Sequence, residues 1–302
     1  MRFPWAKKRK WAILIAAPAK EAGQHWGDTW FARDLAAALN RAGEDAKVVT
    51  RTRGDVEARD ADDVVLVLRG LRRFVPRHAK TQWFMWVISH PDLLEPGEVA
   101  EYDAVFAASL TWTHPEAEVI PLLQATNPER FHPGLATTGT GADVLFVGST
   151  RSQYRQIIQD AIAADVNVEI HGRGWDAFID PKYIASEYLS GDEVGAAYRS
   201  ANVVLNDHWA DMARDGFLSN RLFDAVAAGA SVVSDEALGL HDVFGDAVIT
   251  YSSPENLADA IERARAKTEA ARLSDAARIA REHSFDVRAK VLIEVAKRGK
   301  RG

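Results

Sequence analysis

The 302-residue sequence contains no cysteine, which excludes disulfide scaffolds, thiolate zinc sites, iron–sulfur clusters and cysteine nucleophiles. It has no apolar run of the about 20 residues that a membrane-spanning helix requires. The net charge of −6 argues against a general nucleic-acid-binding protein, because affinity for phosphates requires a concentrated positive field. A G-x-G-x-x-G fingerprint and a Walker A motif are also lacking, so dinucleotide-binding and P-loop proteins lose their main support.

What the sequence does contain is a regular alternation of short apolar runs with segments of helical periodicity. Continuous apolar runs of this kind predict parallel strands that are buried on both faces. We expect strands at 12–17, 46–50, 64–68, 82–88, 104–108, 118–122, 143–148, 166–171, 202–206, 231–234 and 247–251. We expect helices at 28–41, 151–164, 192–200, 219–229 and 254–269, and two more within 271–298 that meet near Ser284. The pattern is typical of an α/β protein with two Rossmann-like domains that face each other across a cleft.

The N-terminal segment allows two interpretations. A basic stretch followed by Trp11–Ala17 is similar to a short secretory signal. The alternative is a buried first strand, because Asp28 then opens a strongly periodic helix, as a β-α unit requires. We favour the strand, and with it a cytoplasmic protein.

The loop after the predicted strand 143–148 is a candidate phosphate site. The strand ends in Gly-Ser and leads towards a helix, which offers free backbone N–H groups at Ser149, and Arg151 and Arg155 add positive charge. Backbone N–H groups and arginines together suit a diphosphate. The alternative is a solvated helix face.

The ends of the next predicted strands carry further candidates for contacts with a nucleotide. His171 and Gly172 begin a tight turn that ends at Trp175, next to which a base or ribose would pack. A metal at His171 is not expected, since no acidic or histidine partner lies at ligand spacing. Asn206 ends the strand at 202–206, and the segment from Asn206 to Asp211 has too loose a spacing for a metal site.

The segment 216–235 is the most informative one. Ser219 or Asn220 can cap a helix whose first turn, with Arg221, points unpaired N–H groups at a ligand. Asp224 follows one turn later, where a carboxylate can accept hydrogen bonds from ribose hydroxyls. The alternative is an ordinary amphipathic helix with a polar start.

The first domain offers two candidate ligand-binding loops. The long loop after the first strand contains Gly23, His25, Trp26 and Gly27, whose glycines permit a ligand to approach the backbone, or it is a surface loop. His90 and Asp92 follow the strand 82–88. His90 is a candidate catalytic or positioning residue with Asp92 as its orienter. A structural loop histidine is the alternative.

The sequence Asp60-Ala-Asp62 is an Asp-x-Asp pair of the kind that holds a metal ion in some enzymes. It lies before the strand at 64–68, at the amino end where ligands do not bind in such sheets. We interpret it as a solvated turn and expect neither a metal nor a resident cofactor.

The order of these motifs resembles the CgeB-like branch of the GT-B glycosyltransferases. The resemblance rests on strand-Gly-Ser…Arg, Gly-x-Gly-Trp, the Asn-Arg-Leu-Phe-Asp-Ala run from Asn220, and Glu-His-Ser-Phe…Arg288, and it covers roughly 100–290. The segment Asn127–Pro133 is similar to the interdomain segment of that fold. Asp224 stands where the family usually has a ribose-binding Glu, and Gly216 stands where it has a second Glu.

The resemblance implies an acceptor-side domain at 1–133, a donor domain at 134–283 and a last helix at 284–302 that crosses back to the first domain. It implies a hexosyltransferase of bacterial type that uses a nucleotide-sugar donor without a metal and retains the anomeric configuration. The donor-binding residues are then Ser149, Arg151, Arg155, His171, Gly172, Trp175, Asn206, Ser219, Asn220, Arg221 and Asp224. The alternatives are a non-catalytic protein that binds a glycan or nucleotide, and a nucleotide-sugar epimerase.

Basic clusters suggest one further partner. The residues 7–10 and Arg69–Arg73, with Arg77 and Lys80, form two of them, and 297–301 is a third. An anionic lipid surface would attract exposed cations by about 1 kcal/mol each, so the acceptor would be lipid-linked. Scattered solubilising charge is the simpler interpretation. We expect no nucleic-acid partner.

Overall fold

The computed structural model describes residues 8–52, 63–76, 80–137 and 141–299. The strands are β1 (Lys10–Ile15), β2 (Asp45–Thr50), β3 (Val64–Arg69), β4 (Gln82–Val87), β5 (Ala104–Ala107), β6 (Val119–Pro121), β7 (Val144–Val147), β8 (Val168–His171), β9 (Ile184–Ser186), β10 (Val203–Asn206), β11 (Val232–Asp235) and β12 (Val248–Tyr251). The helices are α1 (Glu21–Gln24), α2 (Gly27–Arg41), α3 (Gln156–Ala163), α4 (Gly191–Ser200), α5 (Ala210–Asp215), α6 (Asn220–Ala227), α7 (Leu240–Phe244), α8 (Pro254–Arg265), α9 (Glu269–Glu282) and α10 (Phe285–Lys297).

The chain forms two compact units. The first comprises Met1–Leu123 and Phe285–Gly302, and the second comprises Gln124–Ser284. Each contains one six-stranded sheet in which neighbouring strands run parallel. The expected α/β class with two Rossmann-like sheets is therefore confirmed.

The sheet of the first unit has the order β2-β1-β3-β4-β5-β6. Every residue of β3 and β4 is buried, as expected of strands covered on both faces. Helix α2 buries Phe31, Leu35 and Leu39, which recur at the spacing of one helical face.

The last helix, α10, belongs to the first unit. It packs against α2, where the rings of Phe285 and Phe31 lie 4.8 Å apart in an edge-on contact. The Nε of Arg288 donates to the carbonyl oxygen of Leu123 at 2.7 Å. Burial lowers the pKa of Arg288 to about 10.

The sheet of the second unit has the order β12-β11-β10-β7-β8-β9. From β7 the chain fills one side of the sheet with β8 and β9, then returns to the other side with β10. The strand order therefore reverses between β7 and β10. In open α/β sheets, ligands bind outside the carboxyl ends of the strands at such a switch point.

Two starting points in the second unit differ from the sequence prediction. Helix α3 begins at Gln156 rather than at 151, because Arg151 and Ser152 have left-handed φ angles of 52° and 63°. The second unit begins at Gln124 rather than at 134. Arg130 attaches the intervening segment to α4, since its Nη2 donates to the carbonyl oxygen of Gly191 at 2.7 Å.

Strand β1 occupies the segment that is similar to a secretory signal, and all of its residues except the first are buried. Helix α2 follows it, as the β-α interpretation predicts. Over the described ranges, no helix combines the length and apolar character required to cross a bilayer.

Candidate active site

The candidate site of the second unit lies at the carboxyl ends of β7, β8, β10 and β11. Strands β7 and β10 are neighbours, so the loops that follow them start side by side. Because the four strands are parallel, the residues after each strand lie at the same edge of the sheet. The predicted donor contacts at 149, 172 and 206 all fall at this edge.

The turns after β7 and β8 are bound tightly to each other. The Gly148 N–H donates to the His171 carbonyl oxygen at 2.8 Å, and the Trp175 Nε1–H donates to the Gly148 carbonyl oxygen at 2.8 Å. A Cβ on Gly172 would lie 2.1 Å from that carbonyl oxygen, so only glycine permits this approach. Outside this contact, the exposed Ser149 hydroxyl accepts a bond from the backbone N–H of Arg173 at 3.0 Å.

Trp175 and His171 differ from their expected roles as donor contacts. Trp175 is 1% exposed and packs edge-on against Phe146, with ring centroids 5.7 Å apart, so its ring cannot stack on a base. The two ring nitrogens of His171 lie 2.7 Å from Ser186 Oγ and 2.9 Å from Glu169 Oε1. Both side chains therefore support the turn after β8 from within the unit.

Arg155, which was expected to contribute positive charge to a diphosphate site, is also buried. Its Nε donates to Asp207 Oδ2 at 2.8 Å, and its Nη2 donates to the other oxygen of the same carboxylate. The guanidinium lies 4.6 Å from the ring centroid of Trp209. Two bonds to one carboxylate fix the plane of the guanidinium. Arg151 is exposed, in the turn before α3.

Arg221 lies beneath the turn after β7. Its Nε donates to the Val147 carbonyl oxygen at 2.9 Å, and its Nη1 donates to Asn206 Oδ1 at 2.7 Å. Burial lowers the pKa of Arg221, and the charge of Arg155 acts in the same direction. A Cβ on Gly148 would lie 2.7 Å from Arg221 Nη2, so the glycine leaves room for the guanidinium. Arg221 thus connects α6 to the ends of β7 and β10.

The start of α6 is held by a histidine that the sequence analysis did not select. The backbone N–H of Ser219 donates to His208 Nε2 at 3.0 Å, and His208 Nδ1 lies 2.6 Å from Asp235 Oδ1. The Nδ2 of Asn220 donates to Asp224 Oδ2 at 2.7 Å. The signal in the sequence was the position of His208 and Asp235, each at the end of a predicted strand.

The other acidic position of the family motif lies outside this arrangement. Gly216 ends α5 with a φ of 74°, and Asp215 forms an ion pair with Arg214 at 2.6 Å. Asp224 is half-buried on α6. Across the described part of the chain, no group of three or more His, Cys, Asp or Glu side chains could hold a metal ion. The Asp60-Ala-Asp62 segment lies outside the described residues.

In the first unit, Gly23 is required by the loop itself. A Cβ on Gly23 would lie 2.0 Å from the Pro18 carbonyl oxygen, and the Thr29 hydroxyl donates to the Gly23 carbonyl oxygen at 2.6 Å. His25 and Gly27 are exposed, and the Trp26 ring is half-buried in this loop. The loop is therefore built around α1 and the start of α2.

His90 and Asp92 lie at the carboxyl end of β4, as predicted. His90 is half-buried and has a left-handed φ of 51°, an uncommon conformation for a residue other than glycine. Asp92 is exposed in the short 3-10 turn that follows.

Two arginines of the second basic cluster are paired with carboxylates, while Arg72 and Lys80 are exposed. Arg69 is buried, and its Nε donates to Glu98 Oε1 at 2.6 Å. Arg73 forms ion pairs with Glu95 and Glu101. Arg77 of this cluster and residue 7 of the first cluster lie outside the described residues.

With this geometry established, comparison with known proteins identifies the protein class. Residues 151–294 match the family described as glycosyl transferase-like. The search of curated proteins found no match.

Three solved structures show the extent of the similarity in fold. Sucrose-phosphate synthase from Thermosynechococcus elongatus is 13% identical, with 96% of this chain and 99% of that chain covered and a TM-score of 0.70. AviGT4, a glycosyltransferase involved in avilamycin A biosynthesis, is 16% identical, with coverages of 95% and 97% and a TM-score of 0.64. T4 phage BGT, in complex with UDP and Mn²⁺, is 13% identical, with coverages of 95% and 99% and a TM-score of 0.61.

At these identities the solved structures show the fold, and the family match supplies the reaction class. The fold is shared over nearly the whole chain, and the matched residues include α3 to α9 of the second unit and most of α10. Residues 151–294 therefore match the glycosyl transferase-like family, the chain has the GT-B fold, and the protein is a glycosyltransferase.

Proposed function

We propose that this glycosyltransferase transfers a hexose from a nucleoside-diphosphate donor bound by the second unit. The donor diphosphate lies against the turn after β7 and the start of α6, and the reaction proceeds without a metal ion and with retention. Retention and membership of the CgeB-like branch rest on the motif resemblance. On the acceptor side, His90, Asp92 and the loop containing His25 and Trp26 remain predictions.

The observation that carries the proposal is the two-layered arrangement of arginines at the switch point. Arg151 and Arg173 are exposed in the turns after β7 and β8, and the backbone of Arg173 is bonded to Ser149. Arg155, which is buried, and Arg221, which is half-buried, lie beneath them, held by Asp207, Asn206 and the end of β7. The exposed pair supplies charge to a ligand, while the pair beneath keeps the turn in place.

This arrangement suits the departure of a nucleoside diphosphate. Breaking the glycosyl–phosphate bond places negative charge on the diphosphate, and preorganised cations and N–H groups aimed at that charge lower the barrier. Arginines bind phosphate oxygens through two parallel bonds. T4 phage BGT has been solved with UDP and Mn²⁺, so metal independence requires a direct test in this protein.

The test is a thermal-shift series with the diphosphates of uridine, guanosine, adenosine and thymidine, each with Mg²⁺ and with EDTA. A ligand present at a hundred times its Kd stabilises the native state by about 2.7 kcal/mol, so a bound diphosphate raises Tm. We expect one diphosphate to raise Tm equally in both conditions. Transfer or hydrolysis of the corresponding nucleotide sugar then establishes turnover.

Two variants locate the site. Arg155→Ala should reduce the shift, measured from the variant's own Tm, because Asp207 and the turn lose their support. Asp60→Ala should leave the shift unchanged. The proposal is overturned by a protein that binds none of the diphosphates. A shift that requires Mg²⁺ and disappears in Asp60→Ala would transfer the donor site to the first unit.

A further inference from the structure

We propose that His208 is a positioning residue that sets the start of α6 for donor binding. The inference rests on the proposed function, in which that helix start faces the diphosphate. His208 follows β10, and its side chain is fully buried.

The surroundings of His208 require a single tautomer of the imidazole. Nε2 lies 3.0 Å from the backbone nitrogen of Ser219, which can only donate, so Nε2 carries the lone pair. Nδ1 then carries the proton and donates it to Asp235 Oδ1 at 2.6 Å. The other oxygen of Asp235 accepts the backbone N–H of His208 at 2.9 Å. The carboxylate thus fixes both the ring and the backbone of His208.

A continuous chain of hydrogen bonds returns from Asp235 to the same helix. The Ser234 hydroxyl donates to Asp235 Oδ1 at 3.0 Å, and Asn206 Nδ2 donates to Ser234 Oγ at 2.9 Å. Arg221 Nη1 in turn donates to Asn206 Oδ1 at 2.7 Å. The network therefore leaves α6 at Arg221 and returns to it at Ser219 through His208.

This closed network fixes the first turn of α6 from two sides. Arg221 attaches it to β7 and β10, while His208 attaches the residue before the helix to β11. Members of a connected network in a low-dielectric site depend on one another more than isolated pairs do. Loss of the imidazole acceptor leaves the Ser219 N–H without this partner and releases the helix start on the side where the donor binds.

Two substitutions of His208 separate positioning from bulk structure. In His208→Gln, the carbonyl oxygen of the new side-chain amide reaches the place of Nε2 and can accept the Ser219 N–H. The shorter side chain of His208→Asn reaches Asp235 alone. We expect His208→Asn to weaken binding of the nucleoside diphosphate selected by the wild type about tenfold, the value of one lost hydrogen bond. His208→Gln should stay within about threefold of the wild type.

Kinetics with the nucleotide sugar supply a second readout. His208→Asn should raise the KM for the donor and leave the KM for the acceptor unchanged. The same variants are compared by Tm, so a fall in donor affinity is separated from general destabilisation. Equal donor affinity in the wild type and His208→Asn overturns the inference, as does equal loss in both variants.

Ser219→Pro tests the same bond from the other side. The φ of Ser219 is −60°, which the proline ring requires; the change removes the N–H that His208 accepts and places the ring Cδ where that hydrogen pointed. It should weaken nucleotide binding at least as much as His208→Asn, and the double variant, in which the shorter Asn side chain leaves room for the ring, should be no worse than Ser219→Pro alone. Independent losses that add in the double variant contradict the inference, and Ser219→Pro decides it if His208→Asn does not fold.

Nitrogen-15 NMR of the unliganded protein distinguishes this inference from the proposed function. The His208 spectrum should show a protonated Nδ1 and an unprotonated Nε2, and exchange of the Ser219 amide should be slow in the wild type and fast in His208→Asn. A protonated Nε2 overturns the inference, whatever the protein binds. A protein with the expected spectrum that binds no diphosphate overturns the proposed function instead.

Discussion

Both units bury arginines at the carboxyl edge of a parallel sheet, but the surroundings of these arginines differ. In the first unit, the Arg69 guanidinium donates hydrogen bonds to the Glu98 carboxylate and to the carbonyl oxygens of Gly70 and Leu93. These bonds join the end of β3 to the segment after β4. Glu98 Oε2 also accepts the backbone N–H of Glu95 at 3.0 Å, and the Glu95 carboxylate pairs with Arg73. The charge of Arg69 is therefore neutralised by Glu98, and its bonds hold the end of β3 against the segment after β4.

In the second unit, the corresponding arginines, Arg155 buried and Arg221 half-buried, belong to a larger polar arrangement. Arg155 binds Asp207, and Arg221 binds Asn206, from which the network continues to Asp235 and His208. Exposed hydroxyl and guanidinium groups lie in the turns above them. A buried arginine therefore does not by itself indicate a binding site, and the exposed polar groups above Arg155 and Arg221 are what distinguish the proposed donor site.

This difference between the two units predicts that the largest effect on stability follows substitution of Glu98. Glu98→Ala leaves Arg69 buried without its carboxylate, which should lower the free energy of unfolding by about 3 to 5 kcal/mol. Nucleoside-diphosphate binding, measured below the transition temperature, should keep the wild-type Kd. Urea denaturation and calorimetric titration measure the two quantities.

A double variant serves as the control for that experiment. Arg69→Met combined with Glu98→Leu removes both charges, and apolar replacement of a buried pair is often neutral or stabilising. It should recover most of the lost stability. Failure to recover would show that the carbonyl contacts of Arg69, rather than the ion pair, hold the edge together.

The corresponding pair in the second unit should respond in both measurements. Asp207→Asn weakens two charge-assisted bonds to Arg155 and should cost about 2 kcal/mol of stability. Because the pair supports the proposed donor site, the Kd for the diphosphate should also rise, by about tenfold. An unchanged Kd would make Arg155–Asp207 equivalent to Arg69–Glu98 and remove the difference between the units.

The fold was predictable from the sequence where burial is complete. Strands β3 and β4 are buried along their whole length, and their apolar runs at 64–68 and 83–87 are visible without a structure. Strand β9 has three residues and is partly exposed, while α5 and α7 have six and five residues. Elements this short do not show the alternation of a strand or the 3.6-residue periodicity of a helix in their apolar residues. None of the three was predicted.

The edge of the sheet that carries the site was predictable, but the depth of each side chain was not. Parallel strands end at one edge, which placed Ser149, Gly172 and Asn206 together. Whether an arginine points outward depends on partners distant in the sequence, such as Asp207, which is 52 residues from Arg155. The role of Trp175 depended in the same way on the Gly148 carbonyl oxygen, which is 27 residues away.

The smallest effect is expected at the exposed layer, where Ser149→Ala removes the acceptor of the Arg173 N–H. Water replaces a bond at an exposed position, so stability should fall by less than about 1 kcal/mol, while the looser turn should raise the diphosphate Kd about threefold. Ser252→Ala is the matched control. This exposed serine follows β12 in the same sheet, and its hydroxyl also accepts one bond, from Asn256 Nδ2 at 3.1 Å. The control should leave the Kd unchanged. If both variants bind equally well, the exposed turn after β7 does not contact the donor, and the supporting layer beneath it has a purely structural role like that of Arg69.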